Sequence, residues 1–257
     1  MLSSLLAPIE ALVAPPAAAD RVALLRRAPF AHRGLHGPGA PENSRAAVDA
    51  AIAIGHGVEI DVRLSRDGEA FVFHDATLER LTAATGEVDQ RSASELATIR
   101  LRDSHETIPR LPDLLARVRG RVPVLIEIKA PTVHVEALSL AVRRALEGYR
   151  GAAAVMSFDL GAIAWFRKNA PRILRGLVVS EAHSPSRLPG LQRLRALAAT
   201  GAQFAAFDVR DLPSATAARW RRGGRLILAW TVRDAAAEDL ARTHADQLIY
   251  ERPGTGA

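Results

Sequence analysis

Four clusters of reactive side chains lie close together near the start of the chain: His32-Arg33-Gly34, Pro41-Glu42-Asn43-Ser44, Glu59-Ile60-Asp61 and His74-Asp75. They fall at the ends of short apolar runs, not on solvated helix faces. In an extended segment, residues two apart point the same way. In Val58-Glu59-Ile60-Asp61-Val62 the two carboxylates therefore share one face and the aliphatic side chains the other. If the apolar face meets helices, both carboxylates enter the interior, where they repel and lose hydration unless something positive lies between them. A hard divalent cation, Mg²⁺ or Ca²⁺, takes carboxylate oxygens at roughly 2.0 to 2.6 Å and meets that need. Leu125-Ile126-Glu127-Ile128-Lys129 repeats the geometry, with Glu127 and Lys129 opposite Ile126 and Ile128. Glu127 is a candidate third metal carboxylate, and Lys129 a point charge for a phosphate oxygen. An interior ion pair is the plainer reading, and Glu59 and Asp61 weigh against it. His32 and His74 end the first and third strand candidates, and paired histidines titrating near neutrality suit general acid and general base.

Elements that alternate strand and helix are needed to hold such groups at one place. Strand candidates are Phe30–Arg33, Val58–Leu64, Ala70–His74, Val124–Lys129, Ala154–Phe158, Leu177–Ser180, Phe204–Val209 and Leu226–Val232. Helical spacing and punctuation fill the intervals. Asn43 or Ser44 caps a helix Arg45–Ile54 that Gly55 stops, and Ser92 with Glu95 reads as a capping box. Further helices are expected over Val135–Leu146, Leu160–Asn169, Gly190–Ala199 and Ser214–Arg222. Eight strands in this order, in 257 residues, close most naturally as a single α/β (β/α)₈ TIM barrel. An open doubly wound sheet is the alternative, weakened because no Gly-x-Gly-x-x-Gly follows the first strand. We expect one domain over residues 1–257, with a helical extension at 1–28 and the catalytic barrel at 29–253. Ala76–Pro112 reads as an elaborated rim loop.

Composition narrows the chemistry. The absence of cysteine excludes disulfides, thiolate nucleophiles and Cys-based zinc sites. A net charge of +6 comes mostly from arginines spread over many helices, the densest group being Arg219, Arg221, Arg222 and Arg225, and aromatics make up only 5%. A nucleic-acid partner is therefore not expected, while the positive field favours a small anionic substrate. No Lys or Arg precedes Arg21 and Glu10 interrupts the apolar start, which disfavours a signal peptide in spite of the Ala17-Ala18-Ala19 run. No run of 18 apolar residues occurs, so stable membrane insertion is not expected, and a cytoplasmic location is.

The ordered set His32-Arg33-Gly34, Pro41-Glu42-Asn43, Glu59-Ile60-Asp61-Val62, Asp67-Gly68, His74-Asp75 with Leu78 and Arg80, Glu127-Ile128-Lys129, Ser157-Phe158 and Trp230-Thr231-Val232 resembles the glycerophosphodiester phosphodiesterase family. Any one of these motifs is weak, but their order and spacing together are specific, from about Phe30 to Pro253. The resemblance implies Glu59, Asp61 and Glu127 as ligands of a divalent cation (Mg²⁺ or Ca²⁺), and His32 and His74 as acid and base. It also implies Arg33 and Lys129 on the phosphate, Trp230 against the glycerol, and Glu42 and Asn43 orienting the groups nearest the metal. The substrate would be a small-molecule glycerophosphodiester, split into sn-glycerol 3-phosphate and an alcohol. Alternatives are a lysophospholipid or sphingomyelin-type diester, or a non-catalytic anion-binding barrel. Leu35-His36-Gly37 and Tyr250-Glu251-Arg252-Pro253 depart from the usual pattern; His36 is expected in solvent, and the second departure bears on leaving-group specificity.

Overall fold

The computed structural model describes residues 9–10, 12–181 and 190–251. The closing Arg252-Pro253, and part of the helical extension expected at 1–28, lie outside the described residues. Among the described residues nine strands are present: β1 (Phe30–His32), β2 (Gly57–Leu64), β3 (Ala70–Val72), β4 (Val124–Ile128), β5 (Ala153–Ser157), β6 (Leu174–Val179), β7 (Phe204–Asp208), β8 (Leu226–Val232) and β9 (Gln247–Tyr250). Their order is β1-β9-β8-β7-β6-β5-β4-β2-β3, with a further β1–β2 pairing. Without β3, eight strands make a closed ring, a (β/α)₈ barrel.

The eight ring strands are not the eight expected from sequence. The Ala70–His74 segment is not a parallel member but pairs antiparallel with β2, Val62 facing Val72 and Leu64 facing Ala70. Its connection explains this. Ser65 and Glu69 close a tight hairpin, with Gly68 at φ +89°, and so short a link cannot make the crossover a parallel pair requires. The missing ring strand is β9, a four-residue run after the helix Ala235–His244.

Packing divides the chain into two compact units, Phe30–Ala153 and Ala154–Glu251 with the segment before Phe30. In the first unit β2 and β4 are buried almost throughout, as strands covered on both faces must be. The helix Arg45–Ala53 starts at Ser44, whose Oγ accepts the Ala47 N–H at 3.1 Å. The Ser92–Glu95 capping box is present. The rim segment expected over Ala76–Pro112 carries its own apolar core, in which Leu78, Val88, Leu96, Leu101 and Ile108 pack against Phe71 and Phe73.

In the second unit an N-terminal segment is tied down by one buried acid. Glu10, 2% exposed, accepts from the Arg219 guanidinium at 3.1 Å and from the Trp220 indole at 3.3 Å. The Arg225 guanidinium adds bonds to the Glu10 and Ala14 carbonyls. A charge this buried is stable only when paired.

Candidate active site

The strand register brings the candidate residues of the first unit together. On β1–β2, His32 pairs with Glu59, and on β2–β4, Asp61 pairs with Glu127. Paired residues of parallel strands present side chains to the same face, and Glu59 and Asp61 share parity, so all four lie on one face. One oxygen from each of Glu59, Asp61 and Glu127 lies within 4.8 Å of the others. The three carboxylates are 0%, 1% and 7% exposed and His32 is 8% exposed.

Two turns with unusual backbone deliver Arg33 and Asn43. Arg33 leaves β1 at φ +57°, and Asn43 precedes the helix cap at φ +59°. Asn tolerates this left-handed conformation; Arg adopts it at a cost of order 1 kcal/mol. The Arg33 turn aims its backbone N–H at Glu59 Oε2 (3.1 Å), its Nε at Asp61 Oδ2 (3.3 Å) and its terminal nitrogen at Glu42 Oε1 (2.8 Å). Asn43 grips Asp61 twice, donating from Nδ2 to Oδ2 (2.9 Å) and accepting the Asp61 N–H on Oδ1 (3.2 Å). Lys129 donates to Glu127 Oε1 (2.8 Å) and reaches Asp61 Oδ1 (3.3 Å). Gly34 permits this close turn: at φ +79°, a Cβ would lie 2.8 Å from the Ala47 backbone carbon. Gly34→Ala is therefore expected to lower stability by about 1–3 kcal/mol in urea unfolding.

Charge at this site is unevenly held. Burial pushes the Glu59 carboxyl well above the usual carboxylate range, and Asp61 and Glu127 push it further. Glu127 is raised as well, by burial first, against the pull of Lys129. Asp61 is also opposed by burial, yet Lys129 and Arg33 bring it down to about 2. Glu59 Oε1 is buried and accepts no hydrogen bond among the described residues. Three carboxylates around an orphaned oxygen are a donor set that fits an oxygen-seeking divalent cation.

Around the carboxylates runs a second set of contacts. His74 Nδ1 is 2.6 Å from Asp75 Oδ1, and Arg80 joins Asp75 to Glu42. Burial lowers the His74 imidazole below its ordinary value, Asp61 opposing the shift. Glu42, disfavoured by burial but held by Arg80 and Arg33, sits below the ordinary carboxylate value. A depressed carboxylate stabilises the fold fully above its unfolded pKa and loses that contribution as pH falls through the folded value. The stability deficit of Glu42→Gln should thus be larger at pH 7 than at pH 3, as paired denaturation curves would reveal.

Sequence reasoning left Arg63 without a role. It shares the parity of Glu59 and Asp61 on β2, and that was its only signal. Its Nε donates to the His74 carbonyl (2.7 Å) and its terminal nitrogen to the Lys129 carbonyl (3.4 Å). Arg80 and Asp75 lie in the His74-Asp75 motif region, but the link from Arg80 to Glu42 spans 38 positions, and spacing does not reveal it. His36, expected in solvent, is half-buried and partnered, because the turn at Gly34 folds its loop back toward the helix Arg45–Ala53. Trp230 belongs to the second unit, where its indole N–H donates to the Ala206 carbonyl (3.0 Å) and its ring meets Phe158 edge-on at 5.5 Å.

The profile of the Glycerophosphoryl diester phosphodiesterase family matches residues 32–255. The chain belongs to this family. It is 34% identical over 170 residues to a glycerophosphodiester phosphodiesterase of Bacillus altitudinis, covering 61% of this chain and 68% of that one. With a probable glycerophosphodiester phosphodiesterase 2 of Mycobacterium tuberculosis it shares 32% over 224 residues, 80% of each chain. In two of the Bacillus relatives the matched stretch spans 66% and 68% of their length, and in a third 44%. A phosphodiesterase of Oleispira antarctica, solved in complex with the product sn-glycerol-3-phosphate, superposes with a TM-score of 0.76 at 26% identity, covering 86% of this chain and 91% of that one. The family is one of phosphoric diester hydrolases. Among the described residues no helix is long and apolar enough to cross a membrane.

Proposed function

We propose that this chain hydrolyses glycerophosphodiesters to sn-glycerol 3-phosphate and an alcohol, with a divalent cation held by Glu59, Asp61 and Glu127. The observation that carries the reading is the convergence of three buried carboxylates within 4.8 Å, flanked by Arg33 and Lys129. A solvent-excluded cluster of this kind is costly as a purely structural feature, because each charge loses its hydration. It is well suited to a site that must hold a divalent cation. When bound, the cation would polarise the phosphoryl group and neutralise charge growing on its oxygens. Arg33 and Lys129 would hold the phosphate in place, Arg33 as a planar fork and Lys129 as a point charge.

His32 and His74 would move the protons. One takes a proton from the nucleophile, either water or the adjacent glycerol hydroxyl by way of a cyclic phosphate. The other returns a proton to the departing alkoxide. Asn43 would keep Asp61 aimed by its two hydrogen bonds, and Glu42 would orient Arg33. Trp230 would pack its ring against the glycerol carbons. A cytoplasmic location accords with a small, soluble anionic substrate. The Oleispira antarctica protein was solved in complex with the product sn-glycerol-3-phosphate, and the same product is expected here.

The test is direct. The purified chain is incubated with Mg²⁺ or Ca²⁺ and, side by side, a glycerophosphodiester, a lysophospholipid and a sphingomyelin-type diester. Release of sn-glycerol 3-phosphate from the first, at a higher kcat/KM than either competitor, supports the reading. Exclusive turnover of a lipid diester would replace it.

A further inference from the structure

We propose that Asp75 and Arg80 are positioning residues for His74: Asp75 fixes the imidazole as its Nδ1–H tautomer, leaving Nε2 as the nitrogen for proton transfer, and Arg80 locks Asp75 in that orientation. The proposal rests on the reading of His74 as a proton-transfer group.

Three contacts support it. His74 Nδ1 and Asp75 Oδ1 are 2.6 Å apart, and an ionised carboxylate can only accept, so the ring nitrogen must donate. Asp75 stays ionised: burial opposes its charge, but Arg80 and His74 hold its carboxyl below the ordinary value. Arg80 then grips both ends of the brace. It donates to Asp75 Oδ2 at 2.5 Å and Oδ1 at 3.1 Å, and to Glu42 Oε1 at 2.7 Å and Oε2 at 2.9 Å. Glu42 is itself fixed by Arg33. The His74 backbone is pinned independently by Arg63.

Stability is a weak explanation for this arrangement. The Arg80 side chain is 47% exposed, and ion pairs at such exposed sites contribute little to stability. Four hydrogen bonds from one planar fork to two carboxylates supply orientation instead. The brace also links the two sides of the site, since Glu42 joins Arg80 to Arg33, and Arg33 touches both Glu59 and Asp61.

The test reads the tautomer and turnover separately. Imidazole ¹⁵N spectra of the full chain are recorded for the wild type, Asp75→Asn, Arg80→Met and Arg80→Lys, with His74 assigned by the signal that His74→Gln removes. The Nδ1–H tautomer is expected in the wild type and is expected to be lost or mixed in Asp75→Asn. With a glycerophosphodiester and divalent cation, kcat should fall roughly 10- to 100-fold in Asp75→Asn and in Arg80→Met. KM should stay within about threefold, and Arg80→Lys should recover part of the loss. An Nε2–H tautomer in the wild type would overturn the proposal. So would an unchanged tautomer with unchanged kcat in both Asp75→Asn and Arg80→Met. The spectra need no turnover, so a chain that hydrolyses no glycerophosphodiester would refute the proposed function and still leave the tautomer measurable. Should Asp75→Asn fail to fold, the exposed Arg80 variants carry the same decision.

Discussion

Glu59→Gln is expected to fold more stably than the wild type in chelator and to have no measurable activity. Glu59 is fully buried, its pKa is driven up by burial and by Asp61 and Glu127, and its Oε1 accepts no hydrogen bond. A glutamine of the same shape keeps an oxygen to accept the Arg33 N–H and turns the orphaned acceptor into an NH₂ donor facing two carboxylates. The gain should be about 0.5–2 kcal/mol, the usual size for relief of a functional-site compromise. It should also grow with pH. A group whose folded pKa is raised contributes stability below its unfolded pKa, about 4.3, and loses it as pH rises through the folded value. The wild type bears that loss and the variant does not. Activity should fall more than about 10³-fold, because the donor set for the cation is broken. A variant less stable than the wild type in chelator, or one still active, would contradict the account.

Asp61 should behave in the opposite way, which separates the two carboxylates. It accepts from Asn43 and is paired with Arg33 and Lys129, so Asp61→Ala strands two half-buried cations and an Asn43 donor and should cost about 3 kcal/mol as well as activity.

The second large effect concerns the histidines. His32→Ala and His74→Ala should each lower kcat by roughly 10²- to 10⁴-fold, and the double variant should lose far less than the product of the two, because they act on one reaction. A diester with a p-nitrophenyl leaving group needs no proton on departure. It should restore the rate in whichever variant lacks the acid, and so assign the roles. Two single variants both within about threefold of the wild type would remove the histidines from the chemistry.

Much of the first unit was legible because alternation in a strand has one physical meaning. Parity put Glu59 and Asp61 on one face of β2, and Glu127 with Lys129 on one face of β4, each opposite an aliphatic face, and the β2–β4 register then brings Asp61 beside Glu127. Strand identity alone did not give topology. Ala70–Val72 has a strand's composition, and only the brevity of the Ser65–Glu69 turn tells that it folds back on β2. β9 was missed because four residues are too few for periodicity to register. The ties among Glu42, Asp75 and Arg80, and the bonds from Arg63 to two carbonyls, join positions that sequence spacing does not relate.

The most direct measurement is release of sn-glycerol 3-phosphate from a glycerophosphodiester before chelation, after EDTA, and after excess Mg²⁺ or Ca²⁺ is returned, with Glu127→Gln run in parallel. The account predicts that EDTA abolishes release, that one of these cations restores it in the wild type, and that none restores it in Glu127→Gln. Undiminished release in EDTA, or full activity in Glu127→Gln, would contradict it.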